Sequence, residues 1–279
     1  MHTILLIGDM AKPTVKQAVE QAIPLLAAKA NVRQDGLDPD SDLTSIAADV
    51  AMVFGGDGAM LKAARRLGPN SAPLVGVNLG KLGFLTELDK SELDDGTDCI
   101  LSDNCQVVEQ MMIACRVLRA GQEIGRYRAL NDVVVSRGAF SRLVAVRLTI
   151  DGQHATTYNC DGLIISTPVG STAHSLSAGG PIVEPDLAAF VVTPISPHTL
   201  SNRPLVVPGE RRLVMTIEPG RLPVGLTVDG QVHLELQAGD EVEVCRAEPG
   251  LKLAKPGMRN YYTVLREKLG WSGHANYKS

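Results

Sequence analysis

The chain of 279 residues is short of the features that assign a protein quickly. Its five cysteines, at positions 99, 105, 115, 160 and 245, show neither CxxC spacing nor an even count. That pattern fits reduced thiols better than a disulfide framework or a zinc site. No set of His, Cys or carboxylate residues has metal-ligand spacing, so no protein-held metal is expected. There is no long basic run and the net charge is −4, which argues against nucleic acid or a membrane surface as partner. No apolar run approaches the length of a membrane span. The opening Thr3–Ile7 stretch is too short, and lacks the charged flank, for a secretory signal. Together these absences predict a cytoplasmic protein. Neither a P-loop GxxxxGK[ST] nor a solenoid repeat nor a low-complexity segment is present.

What remains is an ordinary globular composition, 44% hydrophobic and 21% charged, on a chain long enough for two modest domains. In the first hundred residues the patterning alternates between types. Ile4–Ile7, Val50–Phe54 and Leu74–Val77 read as short buried strands. Pro13 to Ala30 reads as a helix with Val15, Val19, Ile23 and Leu26 on one stripe, and Pro24 inside it predicts a kink or an early break. Ala59–Leu67 reads as a second helix, stopped by Gly68-Pro69. Strands alternating with helices imply a parallel sheet that binds ligands at the carboxyl ends of its strands.

After about Asp103 the period changes to two. Val107–Leu118, Leu143–Ile150, Leu213–Ile217, Leu226–Val228, Val232–Leu236 and Glu241–Cys245 alternate or run β-branched between Gly, Pro and Asp-Gly turns. This is enough for an all-β sandwich of its own. Asn260–Leu269 returns to helical spacing. Two nearly identical strings, Thr149-Ile-Asp-Gly-Gln153 and Thr227-Val-Asp-Gly-Gln231, each read as a hairpin turn between strands.

Two glycine clusters stand apart from the core patterning. Gly55-Gly56-Asp57-Gly58 joins a strand to a helix, a geometry in which backbone N–H groups face a phosphate. It lacks the third glycine of a dinucleotide fingerprint, and Asp57 is also a plausible helix cap. A carboxylate among phosphate-binding glycines repels the anion unless a metal or a proton transfer gives it a task. The second cluster runs from Gly170 to Pro185. Only His174 and Leu176 in its first eleven residues, Gly170–Gly180, are larger than threonine. Such a segment either lets a polar ligand approach the backbone or lets two backbones pack closely, and composition alone leaves both open.

The residues then carry a family resemblance. GGDG after a strand, GVNLGKLGFLTEL (Gly76–Leu88), LNDVVVSRG (Leu130–Gly138), DGLIISTPVGSTAHSLSAGGPIV (Asp161–Val183) and PISPHTLSNRPLVV (Pro194–Val207) occur in that order. Together they resemble the bacterial type of NAD kinase over nearly the whole chain. The resemblance implies ATP-dependent phosphorylation of the 2′-hydroxyl of the adenosine ribose of NAD, with Mg²⁺ or another divalent cation arriving with ATP. It implies an α/β nucleotide-binding domain over residues 1–103 with a Rossmann-like parallel sheet, and an all-β substrate-binding domain over 104–254. Residues 255–279 are expected to pack back on the first domain, and the whole is expected to form a homodimer or homotetramer.

For the site, the resemblance makes Asp57 the proton acceptor, with Gly56 and Gly58 letting backbone donors reach phosphate oxygens. Asn131 and Asp132 are expected to read an adenine edge and a ribose diol, since an amide both donates and accepts while a carboxylate accepts two hydroxyl protons. The bland alternative for the pair is a strand-entry turn. Thr172, Ala173, His174, Ser175, Leu176 and Ser177 match the segment that lines the NAD site, with His174 where tyrosine is usual. Asp161 is expected near the nicotinamide half. Arg142 and Asn159 fall at positions that contact substrate in some members. Of the twin turns, only Asp229 and Gln231 are expected on the substrate side, and Asp151 is expected to be a hairpin residue alone. The GGDG element by itself also allows a lipid or sugar kinase, and an NAD(P)-binding sensor without catalysis is the alternative from another class.

Overall fold

The protein is described here by a computed structural model covering residues 2–69, 72–80, 83–102, 105–137, 143–199, 202–220, 223–257 and 259–271. In chain order the first half contains β1 (Thr3–Gly8), α1 (Pro13–Ala27), β2 (Asn31–Gly36), β3 (Val50–Phe54), α2 (Asp57–Leu67), β4 (Leu74–Asn78), β5 (Leu88–Asp89), α3 (Leu93–Leu101), β6 (Gln106–Arg119) and β7 (Gln122–Ala129). There follow β8 (Asp132–Arg137), β9 (Val144–Ile150), β10 (Gln153–Cys160), β11 (Gly162–Ser166), α4 (His174–Ser177), β12 (Ala189–Ile195) and β13 (Leu205–Pro208). The chain closes with β14 (Leu213–Ile217), β15 (Val224–Val228), β16 (Val232–Leu236), β17 (Glu241–Lys255) and α5 (Tyr261–Leu269). Two compact units result. One comprises Met1–Glu109 with Lys252–Ser279, the other Gln110–Leu251.

In the first unit the strands run parallel in the order β2-β1-β3-β4. Every residue of β3 and β4 is buried, as expected for a parallel sheet covered on both faces. The order reverses between β1 and β3, so the crevice at their carboxyl ends is the place where such sheets bind ligands. Gly55 leaves β3 at that point. The sequence gives little sign of β2, because NVRQDG is polar and only Gly36 in it is buried. The strand pairs in parallel with β1 at the outer position of this sheet, and Val32 packs on the core while Arg66 donates to the Gly36 carbonyl at 3.1 Å.

Helix α1 buries Val15, Ala18, Val19, Ala22 and Leu26 and does not break at Pro24. It continues to Ala27, three residues short of the expected Ala30. Pro24 removes only the hydrogen bond to the Glu20 carbonyl, and both residues lie on the exposed side, where water can satisfy that group. Helix α5 is capped by Asn260, whose Oδ1 accepts the Tyr262 N–H, and it stops at left-handed Gly270. Its Lys268 Nζ stands 6.0 Å from the Phe84 ring centroid, so the terminal helix belongs to the α/β unit.

The second unit is an antiparallel sandwich. One sheet runs β13-β12-β11-β8-β15-β16. Facing it are β10, β9, β14 and the first part of β17. Between them lie Val133, Val135, Leu163, Ile165, Phe190 and Leu226 from one sheet and Val146, Leu148, Leu213, Met215 and Val244 from the other. The alternation expected of a sandwich holds on β9, β14 and β15. Strands β8 and β11 are buried on their outer face as well, at Val134 and Ile164. Both Asp-Gly turns have positive φ at their two central residues, 50° and 78° at Asp151-Gly152, 49° and 65° at Asp229-Gly230, as a two-residue hairpin of the primed type requires.

Replacing the tolerated proline tests the account of α1. Pro24→Ala restores one helical hydrogen bond and is expected to stabilise the fold by about 1–3 kcal/mol. Urea unfolding of both proteins measures it. An unchanged or lower midpoint would show that the helix gains nothing from the missing bond.

Candidate active site

The first unit carries a candidate loop after β3. Gly55 has φ +151°, and a Cβ there would come within 2.7 Å of the Ala59 Cβ, so this glycine is required by the chain itself. Gly56 is different. Its backbone is extended, it is exposed, and a Cβ would meet nothing within 4 Å. Packing does not demand glycine there, which leaves the open backbone face free for a ligand. Helix α2 begins at Asp57, two residues earlier than its apolar pattern suggests, with Gly56 as N-cap and no side-chain cap bond.

Asp57 therefore does not cap the helix. Its Oδ2 accepts the Phe84 N–H and its Oδ1 the Leu85 N–H, both at 2.9 Å. Gly83 makes this approach possible, since a Cβ there would stand 2.1 Å from Asp57 Oδ1. Thr86, at the end of the same loop, is buried, and its hydroxyl has no partner among the described residues. Residues 83–86 are thus the part of this site that reading for chemistry missed. The available signal was the second glycine of GKLGFLTEL, which carries no bulk where the carboxylate must reach the backbone.

The second unit, taken by itself, carries two segments that meet. Asn131 and Asp132 stand at the entry to β8. Their chain is gripped by Asp229, whose Oδ2 accepts the Leu130 N–H at 3.1 Å and whose Oδ1 accepts the N–H groups of Asn131 at 2.8 Å and Asp132 at 3.1 Å. Asp132 is 4% exposed. Burial, and then the nearby Asp229 charge, push its carboxyl up to about 7.

From the other side Thr167 reaches the same chain, and Gly170 lies so close that a Cβ would fall 2.0 Å from the Asn131 carbonyl oxygen. This glycine is the point of closest approach between LNDVVV and the small-residue segment. Within that segment, Ser175 is fully buried with its hydroxyl 2.8 Å from Thr193 Oγ1. Thr172 donates to the Val169 carbonyl at 3.0 Å. Thr172, Ala173 and Leu176 are half-buried, and His174 and Ser177 are exposed. Part of the small-residue character thus serves close packing on the sheet, and part leaves accessible side chains. Helix α4 is a single turn, His174–Ser177.

Asp161 lies at the far end of β11. Asp132 pairs with Ser166, five residues from Asp161, so the two acids stand roughly 17 Å apart along the strand direction. Arg137, which the sequence reading passed over, donates through Nε to Asp161 Oδ1 at 2.7 Å. Asn159 is exposed and its carbonyl accepts the His198 N–H. Gln231 is exposed beside the Asp229 turn. Arg142 falls outside the described residues. The twin turn differs in what its acid holds. Asp151 accepts the Arg212 N–H at 2.9 Å and pairs with Arg211 at 2.7 Å, so it fixes the chain entering β14. Among the described residues no group of three or more His, Cys, Asp or Glu side chains is placed to hold a metal ion.

Comparison with known proteins adds the family. Residues 12–104 match the model of the ATP-NAD kinase N-terminal domain, and residues 130–255 that of the ATP-NAD kinase C-terminal domain. The chain is 48% identical over 226 residues to the NAD kinase of Geobacter sulfurreducens, covering 81% of this chain and 80% of that one. Yeast NADH kinase complexed with NADH superposes with a TM-score of 0.89 at 25% identity, covering 100% of this chain and 90% of the yeast chain. An NAD kinase from Archaeoglobus fulgidus in complex with ATP gives 0.76 at 25% identity, over 95% of this chain and 98% of that chain.

The raised Asp132 carboxyl has a measurable consequence. The folded chain holds this proton up to about 7, whereas the ordinary value is 3.8. Stability from this group is therefore full at pH below about 4 and is lost as pH rises to about 7. Asp132→Asn is expected to flatten that decline in urea unfolding between pH 4 and 7. Parallel wild-type and variant profiles would show that the group ionises normally.

Proposed function

The chain belongs to the NAD kinase family, and on that premise we propose how its residues divide the work of the reaction. The reaction transfers the γ-phosphoryl group of ATP to the 2′-hydroxyl of the adenosine ribose of NAD and yields NADP. Such a transfer needs the hydroxyl held in line with the phosphoryl group, its proton accepted, and the developing charge neutralised. The observation that carries the assignment is the loop after β3, where Gly56 offers an open backbone face next to the Asp57 carboxylate.

Asp57 is the residue we assign to the hydroxyl. Each of its oxygens accepts one backbone N–H, which fixes the carboxylate plane and leaves one lone pair per oxygen for a substrate O–H. A carboxylate is a weak base, so its main effect is to orient the hydroxyl and take the proton as transfer proceeds. Gly56 and Gly58 let phosphate oxygens reach the backbone. A divalent cation arriving with ATP would supply charge neutralisation on the transferring phosphoryl group.

For NAD, Asn131 and Asp132 read the adenine edge and a ribose diol, and Asp161, held by Arg137, accepts from the nicotinamide half. Thr172, Ala173, His174, Leu176 and Ser177 line the path, Ser175 supports them from the buried side, and Gln231 and Asn159 close its rim. The matches cover both halves of the chain, which removes the grounds for a lipid or sugar kinase or a sensor. From the resemblance alone we also infer a homodimer or homotetramer located in the cytoplasm.

Asp57→Asn is expected to lower kcat by roughly a hundredfold or more, with KM for NAD and ATP within about twofold. NADP formation followed with a coupled dehydrogenase measures this, and turnover near wild type would remove Asp57 from the mechanism. His174 tests the lining segment. His174→Ala is expected to raise KM for NAD several-fold, the loss of one aromatic stack being worth about 1 kcal/mol, and His174→Tyr to hold or lower it. Equal KM for alanine and histidine would make the residue a bystander.

A further inference from the structure

The three residues Leu130, Asn131 and Asp132 have six backbone polar groups, and two side-chain-bearing positions engage all of them. The three N–H groups go to the carboxylate of Asp229. The Leu130 carbonyl accepts the Thr167 hydroxyl, and the Asn131 carbonyl accepts the Thr167 N–H at 2.9 Å. The Asp132 carbonyl accepts the Asp229 N–H at 3.0 Å. Thr167 Oγ1 also accepts the Gly170 N–H at 3.0 Å. Both side chains are shielded from water, Thr167 fully and Asp229 to 7% exposure.

This pattern cannot arise in a strand. In extended chain, successive N–H groups point to opposite sides, and neighbouring side chains point to opposite faces. Three consecutive N–H groups converging on one carboxylate form a concave turn of the kind that binds anions, here closed by the chain's own acid. The turn matters because Asn131 and Asp132 are adjacent in sequence. On a regular strand they would face away from each other and could not serve one ligand. The bonds are charge-assisted and buried, which makes them stronger than neutral surface bonds.

We infer that Asp229 and Thr167 are positioning residues, which act on NAD through the backbone of Leu130–Asp132 by holding Asn131 and Asp132 in the turn that lets both side chains address one nucleotide. The inference rests on the assignment of Asn131 and Asp132 to NAD. It moves Asp229 from the group of residues touching substrate to the group that shapes them, and it gives Thr167 a role that the string STPVGSTA does not reveal.

The test uses the full chain and the variants Asp229→Asn, Thr167→Val and Thr167→Ser. Two readouts are taken, KM for NAD against KM for ATP, and amide hydrogen exchange at Leu130, Asn131 and Asp132 against Ile164 and Val191 in the same sheet. Asp229→Asn and Thr167→Val are expected to raise KM for NAD roughly tenfold or more with KM for ATP nearly unchanged. Exchange should quicken at Leu130–Asp132 and not at Ile164 or Val191, and Thr167→Ser should restore most of the wild-type behaviour. Faster exchange with unchanged KM for NAD overturns the inference, because the turn would then be irrelevant to binding. A raised KM with unchanged exchange also overturns it and makes Asp229 a direct ligand. Protection lost across the whole sheet reduces both residues to general stability and overturns it as well. Asn131→Ala, measured alongside, separates the two layers of argument. If it leaves KM for NAD unchanged, the underlying assignment fails, whereas a raised KM there with silent Asp229 and Thr167 variants means the bracing alone is wrong.

Discussion

A buried carboxylate that takes successive backbone N–H groups is the constraint on which the binding face of the second unit depends. Asp229 accepts three of them, and the chain around Leu130–Asp132 departs from strand geometry to supply them. Everything that follows is arranged around that departure. Gly170 has no side chain because the Asn131 carbonyl occupies the space. Thr167 carries a hydroxyl that donates to one carbonyl while accepting an N–H. Even Asp132, packed beside Asp229, keeps its proton to a higher pH than an ordinary aspartic acid, for burial first and for the neighbouring charge second. One acid thus sets the conformation of a segment and adds to the effect of burial on its neighbour.

The same device appears in the first unit with a different result. Asp57 also binds backbone N–H groups, from Phe84 and Leu85, yet it is only half-buried. Two donors on a carboxylate leave acceptor capacity facing outward, whereas three donors and deep burial leave Asp229 turned inward. Number of donors and exposure therefore separate an acid that can address a substrate from one that shapes the chain. The residue type and the flanking glycine are the same in both cases, Asp57-Gly58 and Asp229-Gly230.

How much of this could be read from the sequence follows from where each feature keeps its information. The parallel strands Val50–Phe54 and Leu74–Asn78 were legible because burial on both faces writes itself as an unbroken apolar run. The sandwich was legible through its period of two. The edge strand β2 was not, since its polar residues show no pattern and what holds it is long-range, pairing with β1 and the Arg66 bond to the Gly36 carbonyl. The extent of α1 was misjudged at Pro24 because the cost of a proline depends on which side of the helix loses its bond, and spacing alone does not weigh that. The candidate site was legible as motifs. The partnership between motifs, Asp57 with residues 83–85 and Asp229 with 130–132, was not, because it joins positions 27 and 97 or more residues apart.

The twin Asp-Gly-Gln turns make the same point at its sharpest. Both have the turn geometry their sequence demands, and both use the aspartate carboxylate to fix a distant piece of backbone. Asp151 holds the N–H of Arg212 and the guanidinium of Arg211 at an exposed sheet edge. Asp229 holds three N–H groups in the interior. A bond that competes with water fixes a chain weakly, and a charge-assisted bond removed from water fixes it firmly. Local sequence determines that a carboxylate projects from the turn. What that carboxylate does is decided by the segment brought against it, and only the second turn has one with consecutive unpaired N–H groups to offer.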